Sequence, residues 1–382
     1  MTATRGALEG VRILDLSRVL AGPHATMLLA DLGADVVKVE RKAGGDDTRT
    51  WGPPWHDGEA TYFLGANRNK RSLCLDFTDA ADLRTVRSLA ARCDVLVENF
   101  RPGTLEKYGL GYSRLTADNP GLVYCSITGF GTHEGAHLPG YDLIAQAAGG
   151  LMSITGPPGE PSKAGVALVD VITGLHATIG IQAALRHRDA TGEGQVVEVN
   201  LLSSLLSAMS NQSSAHVLTG TVPSALGNAH PSVAPYQPIR TADRPLAIAA
   251  TTDRQFRALV TTIGRAELAE DERYGSNSSR VAHRAELIAD LEATFTTEDA
   301  DHWFKLLSAR GVPCGPINDL GQAFQLAEEL GLRPVVRTGD ETRAVDQVAN
   351  PITLSRTPAT YRRNPPRLGA DSGDPGWLGD GG

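Results

Sequence analysis

The sequence has little cysteine, no excess of positive charge and no long apolar run, and each shortage removes a class of protein. Its four cysteines, Cys74, Cys93, Cys125 and Cys314, stand far apart and make no CxxC pair. That spacing excludes a disulfide framework and a zinc knuckle and fits a reducing cytosol. Acidic residues outnumber basic ones, 44 to 36, and the net charge is −8. A nucleic-acid partner would need a basic face to meet its phosphates, so none is expected. The opening stretch, MTATRGALEG, lacks the apolar core of a signal peptide. The most apolar later stretch, 201–209, carries serines and is too short to span a bilayer. No membrane partner is expected either, and no internal repeat interrupts the chain. Apolar content of 41% and charged content of 21% are ordinary for a soluble globular protein, here read as cytoplasmic and metabolic. At 382 residues the chain is too long for one compact core, so two domains are expected.

What is present is alternation. Residues 11–16 read as a strand, Ala21-Gly22-Pro23 as a turn with Pro23 suited to a first helical position, 27–32 as a helix, and 36–40 as the next strand. Strands follow at 72–77, 94–100, 122–128 and 195–199, and helices at 80–92, 141–152, 171–187 and 201–218. The spacing predicts a parallel, doubly wound α/β sheet. Residues 219–238, rich in Gly, Pro, Ser and His, read as a linker. A strand at 246–250 and helices at 254–263, 284–294 and 300–309 then build a smaller α+β unit, to about 325. The tail from Pro334 ends in Pro, Gly and Asp and is expected to be loosely ordered.

One stretch organises the chemistry. The apolar run Val166-Ala167-Leu168-Val169 ends at Asp170, where a helical pattern begins. Free N–H groups and the helix dipole there favour an anion. A carboxylate held ionised among apolar neighbours could act as a nucleophile. Asp is equally a favoured N-cap, and the position alone does not separate the two roles. His133-Glu134-Gly135-Ala136-His137 matches the zinc-protease pattern HExxH, but glycines and Pro139 make it a loop, and no metal site is expected. Glu40 could be the ribose ligand of a dinucleotide site, yet the turn at 18–23 lacks the necessary glycines. Lys38, Arg41, Lys42, Arg49, Arg68, Lys70 and Arg71 lie where open α/β sheets bind phosphates, or are solvated surface. Trp51, in a turn-rich loop, is either a packing anchor or a ligand cover.

Several ordered blocks carry a resemblance. They include Gly10-Val11-Arg12-Ile13-Leu14-Asp15-Leu16, Ala21-Gly22-Pro23, Gly33-Ala34-Asp35-Val36-Val37-Lys38-Val39-Glu40-Arg41, Val97-Glu98-Asn99-Phe100-Arg101-Pro102-Gly103 and Gly311-Val312-Pro313-Cys314-Gly315-Pro316. Over nearly its whole length the chain resembles the class III CoA-transferases, also called the CaiB/BaiF or formyl-CoA transferase family. The resemblance implies an interlocked homodimer. Each chain would have a Rossmann-like large domain, 1–218 completed by 345–382, and a small α+β domain, 239–325, joined by linkers at 219–238 and 326–344. It implies that Asp170 carries the acyl group as an aspartyl anhydride and then CoA as an aspartyl thioester. Coenzyme A is thus a substrate, and no permanent cofactor is implied. By matching position, Val19, Ala21, Arg41, Leu75, Asn99, Phe100 and Lys107 would bind CoA, with Lys107 replacing an Arg. Tyr141 matches an active-site tyrosine. The related racemases carry His there, so Tyr141-Asp142 leaves a 2-methylacyl-CoA racemase as the alternative reading, beside a non-catalytic acyl-CoA-binding protein.

Two departures bear on substrate. Leu20 replaces a Gln of the oxalate-handling formyl-CoA transferase, and that enzyme's four-glycine run is missing. The blocks around 45–54, 124–129 and 150–157 look like the succinate–hydroxymethylglutarate (glutarate) branch. Succinyl-CoA is therefore the expected donor and a dicarboxylate such as glutarate the expected acceptor. A distal carboxylate would suit a bidentate Arg, with Arg18 and Arg49 as candidates. His230 is a further candidate, or a residue that only structures its loop.

Overall fold

The computed structural model of the chain describes residues 6–340, 342–374, 376 and 377. These form two compact units. One holds Met1–Leu151, Ala164–Thr221 and Arg333–Gly382, and the other holds Met152–Lys163 and Val222–Leu332.

The first unit is built on six strands: β1 (Arg12–Asp15), β2 (Asp35–Glu40), β3 (Lys70–Cys74), β4 (Val95–Glu98), β5 (Val123–Thr128) and β6 (Val196–Asn200). They pair only in parallel, in the order β3-β2-β1-β4-β5-β6. Parallel strands covered on both faces read as continuous apolar runs, as Val95-Leu96-Val97 does. Their side chains alternate between two cores. Ile13, Val36, Val95 and Val97 pack with α1 (Ala21–Asp31) and α4 (Leu168–Thr191), while Leu14, Val37 and Leu96 pack with α2 (Ala80–Ala90). Each fully buried Val, Leu or Ile contributes about 1.5–3 kcal/mol. The chain steps outward from β1 to β3, then returns to the other side of β1 with β4. That reversal leaves a crevice beyond the carboxyl ends of β1 and β4, the usual ligand position in such sheets.

Several element boundaries differ from the sequence expectation. Helix α1 begins at Ala21, so Pro23 is its third residue; the first four N–H groups lack intrahelical partners, so proline costs nothing there. Helix α3 (Asp142–Ala148) stops at Gly149-Gly150, with Gly150 at φ +86, instead of running to 152. The expected helix at 201–218 is two, α5 (Leu201–Ala208) and α6 (Ser210–Thr219), broken where Ser210 takes φ 38. Helix α4 is long and apolar enough by composition to cross a membrane, with a mean hydropathy of 1.5 over its best window. One face of it, Thr173, Ala177, Ile181, Ala184 and Leu185, is buried at helical spacing in the core.

The described part of the tail, as far as Trp377, is packed, not loose, and residues 378–382 lie outside the described residues. Arg363 O accepts from Asn69 N, Asp371 N donates to Ser72 O, and Trp377 is buried with its Nε1 donating to Leu89 O. Backbone pairing of this kind covers the exposed edge of β3, which would otherwise present free N–H and C=O groups.

In the second unit, β7 (Tyr236–Ile239), β8 (Leu246–Ala249) and β9 (Cys314–Pro316) form an antiparallel sheet in the order β9-β8-β7. Helices α7 (Asp253–Thr262), α8 (Arg284–Phe295) and α9 (Ala300–Ser308) enclose its core of Ile239, Ile248, Phe256, Leu291 and Phe295. The stretches expected as linkers are partly regular. Strand β7 begins in the first, and the second holds the end of α10 (Leu320–Glu329) and β10 (Val335–Gly339), the first strand of a hairpin with β11 (Ala344–Val348).

Candidate active site

The loop leaving β1 at the crevice is clasped by the loop leaving β4. Arg18 N donates to Asn99 Oδ1 at 2.9 Å, and Asn99 Nδ2 donates back to Arg18 O at 2.7 Å. Val19 then adopts φ 69, a left-handed conformation that a β-branched residue avoids. Helix α1 begins directly after, with Leu20 at its N-cap and no side-chain cap. Among the described residues, no acceptor is recorded for the N–H groups of Leu20, Ala21 and Gly22. Leu20 and Ala21 line a cavity of about 370 Å³, and Asp170 opens into the same cavity.

Asp170 is the third residue of α4, not its cap; the N-cap is Ala167. Another carboxylate has taken the anion's place at this helix end. Asp142 Oδ1 accepts from Val169 N at 2.8 Å and from Asp170 N at 3.2 Å, and its Oδ2 accepts from Gln146 Nε2 at 2.6 Å. No donor is recorded on the Asp170 carboxylate among the described residues. Burial, and then the neighbouring charge of Asp142, push its pKa up from 3.8 to about 7. The expectation of a carboxylate held ionised therefore changes: near neutral pH this group is poised between its two forms. Gly174, one turn later, lets α4 approach α1 closely. A Cβ there would lie 2.7 Å from Ala21 O.

Tyr141 is the N-cap of α3 and lines the cavity, as do Arg18, Val19, Asn99 and Phe100. A second cavity of about 400 Å³ adjoins, lined by Arg41, Lys42, Leu75, Phe77 and Tyr108. Arg18 and Phe100 belong to both, with the guanidinium 5.3 Å from the ring. The structure thus brings together Arg18, Val19, Leu20, Ala21, Arg41, Leu75, Asn99, Phe100, Tyr141 and Asp170. Sequence reasoning missed Asp142 and Tyr62. The Tyr62 hydroxyl is pushed up to about 12 by burial and by the charges of Asp170, Asp142 and Asp46. Its only sequence signal was proximity to Trp51, whose ring it meets edge-on at 5.3 Å.

The other candidate residues are placed or engaged as follows. Arg49 is consumed by Glu40 through two 2.7 Å bonds, donates to Pro366 O and stacks on Phe63, so it has no fork to offer a substrate. The same bonds occupy Glu40, which excludes the ribose role. Lys38, Arg68, Lys70 and Arg71 are buried in ion pairs with Asp46, Asp31, Asp15 and Asp35. Arg41 and Lys42 remain half-exposed at the second cavity, paired with Asp47 and Asp82. Lys107 and Trp51 are exposed and line neither cavity. His230 belongs to the second unit, where its Nδ1 accepts from Ser232 N and its ring meets Tyr236. The His133–His137 stretch forms turns and lacks the helix that would put two imidazoles on one face.

Known proteins resemble the whole chain. A succinate–glutarate CoA-transferase of Agrobacterium fabrum is 45% identical over 95% of this chain and 93% of its own. A succinyl-CoA:glutarate CoA-transferase of Mus musculus is 44% identical over 95% of this chain and 84% of its own. The crystal structure of a CaiB/BaiF family protein from Brucella suis superposes with a TM-score of 0.86 at 42% identity, covering 97% of this chain and 98% of that one. The family model of CoA-transferase family III matches residues 8–372. On this match, and on these relatives, the chain belongs to CoA-transferase family III and is an enzyme of that class.

Proposed function

We propose that the enzyme moves CoA from succinyl-CoA to a dicarboxylic acid such as glutarate, through covalent intermediates on Asp170. The observation that carries this reading is the Asp170 carboxylate itself. It opens into a cavity at the sheet's crevice, bears no recorded donor and has a pKa near neutrality. Desolvation leaves its ionised form reactive. The names of the Agrobacterium and mouse relatives support the choice of donor and acceptor.

An Asp170 oxygen attacks the thioester carbonyl, the C–S bond breaks, and CoA leaves as thiolate from a mixed anhydride. The thiolate then attacks the Asp170 carbonyl carbon. The anhydride C–O bond breaks, succinate departs, and an aspartyl-CoA thioester remains. Glutarate attacks that thioester and displaces the thiolate, which returns to the glutaryl carbonyl and frees Asp170. No bond energy is lost to water. The uncapped N–H groups of Leu20 and Ala21 act as the oxyanion donors for these tetrahedral steps. The CoA chain runs from the cavity flanked by Arg41 and Lys42 past Arg18 and Phe100. Arg18, half-exposed between the cavities and committed among the described residues only through Nη1, 3.3 Å from Asp47, holds the distal carboxylate. A second copy of the chain covers apolar side chains left exposed, such as Leu175 at 43% and Ile179 at 64%, giving the homodimer. Four unpaired cysteines support a reducing, cytoplasmic setting.

The test is direct. Enzyme incubated with succinyl-CoA and quenched with hydroxylamine should yield a hydroxamate on the peptide carrying Asp170, and the Asp170→Ala variant should yield none and transfer no CoA. Transfer surviving in Asp170→Ala sinks the covalent reading. A panel of dicarboxylates read by mass spectrometry then fixes the acceptor.

A further inference from the structure

The left-handed turn at Val19 lies between the strand β1 and the uncapped start of α1, and it does not hold itself. A β-branched residue at φ 69 persists only where its surroundings over-determine it. Those surroundings are a buried ion pair. Val19 N donates to both oxygens of Asp46, each at 3.3 Å. Lys38 Nζ lies 2.9 Å from Asp46 Oδ2, and neither side chain is exposed. The same Nζ donates to Ser17 O at 2.8 Å, so one ammonium ties the carboxylate to the loop it restrains. Thr48 fixes the other oxygen through its N at 3.0 Å and Oγ1 at 2.8 Å. Asp46 does not line the cavity that Asp170 enters, whereas Val19, whose N–H it accepts, does.

We propose that Asp46, pinned by Lys38, is a positioning residue for CoA transfer: it holds Val19 left-handed and so aims the N–H groups of Leu20 and Ala21 at the carbon that Asp170 attacks. This rests on the covalent reading of Asp170. A neutral acceptor would leave the buried Lys38 ammonium to Asp15, which Lys70 already occupies at 3.1 Å, and to Glu40, which Arg49 holds at 2.7 Å. The ion pair therefore sets the turn, and the turn sets the donors.

The test uses the full-length enzyme and the rate of Asp170 labelling at saturating succinyl-CoA, per folded molecule, with CoA affinity measured alongside because Asp46 also borders the second cavity. Asp46→Ala should slow labelling by about tenfold or more, as small misplacements of reacting groups do, while CoA affinity changes little. Asp46→Asn keeps an acceptor and the side-chain shape and should lie between. Adding Val19→Gly to Asp46→Ala should recover much of the lost rate, because glycine adopts φ 69 without a clamp. A purely structural role predicts no such recovery. Unchanged labelling in Asp46→Ala, a loss confined to CoA affinity, or a double variant no faster than Asp46→Ala overturns the proposal. Absence of any Asp170 label in the unaltered enzyme overturns the covalent reading itself, and this inference with it.

Discussion

Asp170 ties three properties of one side chain to each other. Burial and Asp142 raise its pKa to about 7, so the nucleophilic form accumulates only as pH rises through that value. The labelling rate should rise with pH and level off above neutrality. Asp142→Asn keeps the acceptor for Val169 and Asp170 N–H groups but removes the like charge, so the inflection should move to lower pH. A stopped-flow pH series on both proteins checks this. Stability carries the opposite sign. The folded pKa lies above the ordinary 3.8, so the protonated group stabilises the fold; that contribution is full below 3.8 and is lost as pH rises through about 7. Asp170→Asn should therefore melt higher than the unaltered enzyme at pH 8, with a gap that narrows toward about pH 5. The carboxylate was legible in the sequence as an Asp ending an apolar run. Its pKa was not, because Asp142 is 28 residues away in the chain.

At the scale of elements, the proposed chemistry depends on how closely α4 meets α1. Gly174 costs α4 about 1 kcal/mol of helix propensity relative to Ala, so a substitution to Ala would stabilise an isolated helix. In the folded chain the added Cβ would meet the Ala21 carbonyl at 2.7 Å, and backbone cannot yield as a flexible side chain does. Overpacking of this kind costs about 1–3 kcal/mol and wins. Gly174→Ala should lower the melting temperature and also slow Asp170 labelling, because the helix that carries Asp170 is pushed away from the proposed donors, the N–H groups of Leu20 and Ala21. The clasp on the other side of the loop makes a parallel prediction. Asn99→Ala removes both bonds to Arg18 and should weaken CoA binding and labelling together, read by titration and single-turnover kinetics. The element types followed from periodicity. The breaks at Gly149-Gly150 and Ser210 did not all show, since a serine in a left-handed conformation leaves no mark in composition.

For the molecule as a whole, the tail and the exposed apolar side chains decide integrity. Trp377 is 3% exposed against the core that includes Leu89, and its loss should cost about 3–5 kcal/mol in chemical denaturation. A tail read as loose turned out to cover the β3 edge, because backbone pairing needs no sequence pattern that composition can register. The proposed homodimer predicts twice the chain mass by light scattering. Ile179→Lys, on the exposed side of α4, should shift that mass toward the monomer without altering the buried face.

Apolar strands alternating with amphipathic helices were enough to determine a parallel α/β sheet, and ordered local motifs were enough to point to a CoA-transferase. Those are properties of neighbours in the chain, where hydrophobic periodicity and turn chemistry act. Only the tertiary structure decided which charges are spent and which remain. It consumed Arg49 on Glu40 and buried Lys38 against Asp46, and it placed Asp142 at the helix end that Asp170 had seemed to need. Electrostatic energy depends on distance in space and on burial, and sequence separation carries neither.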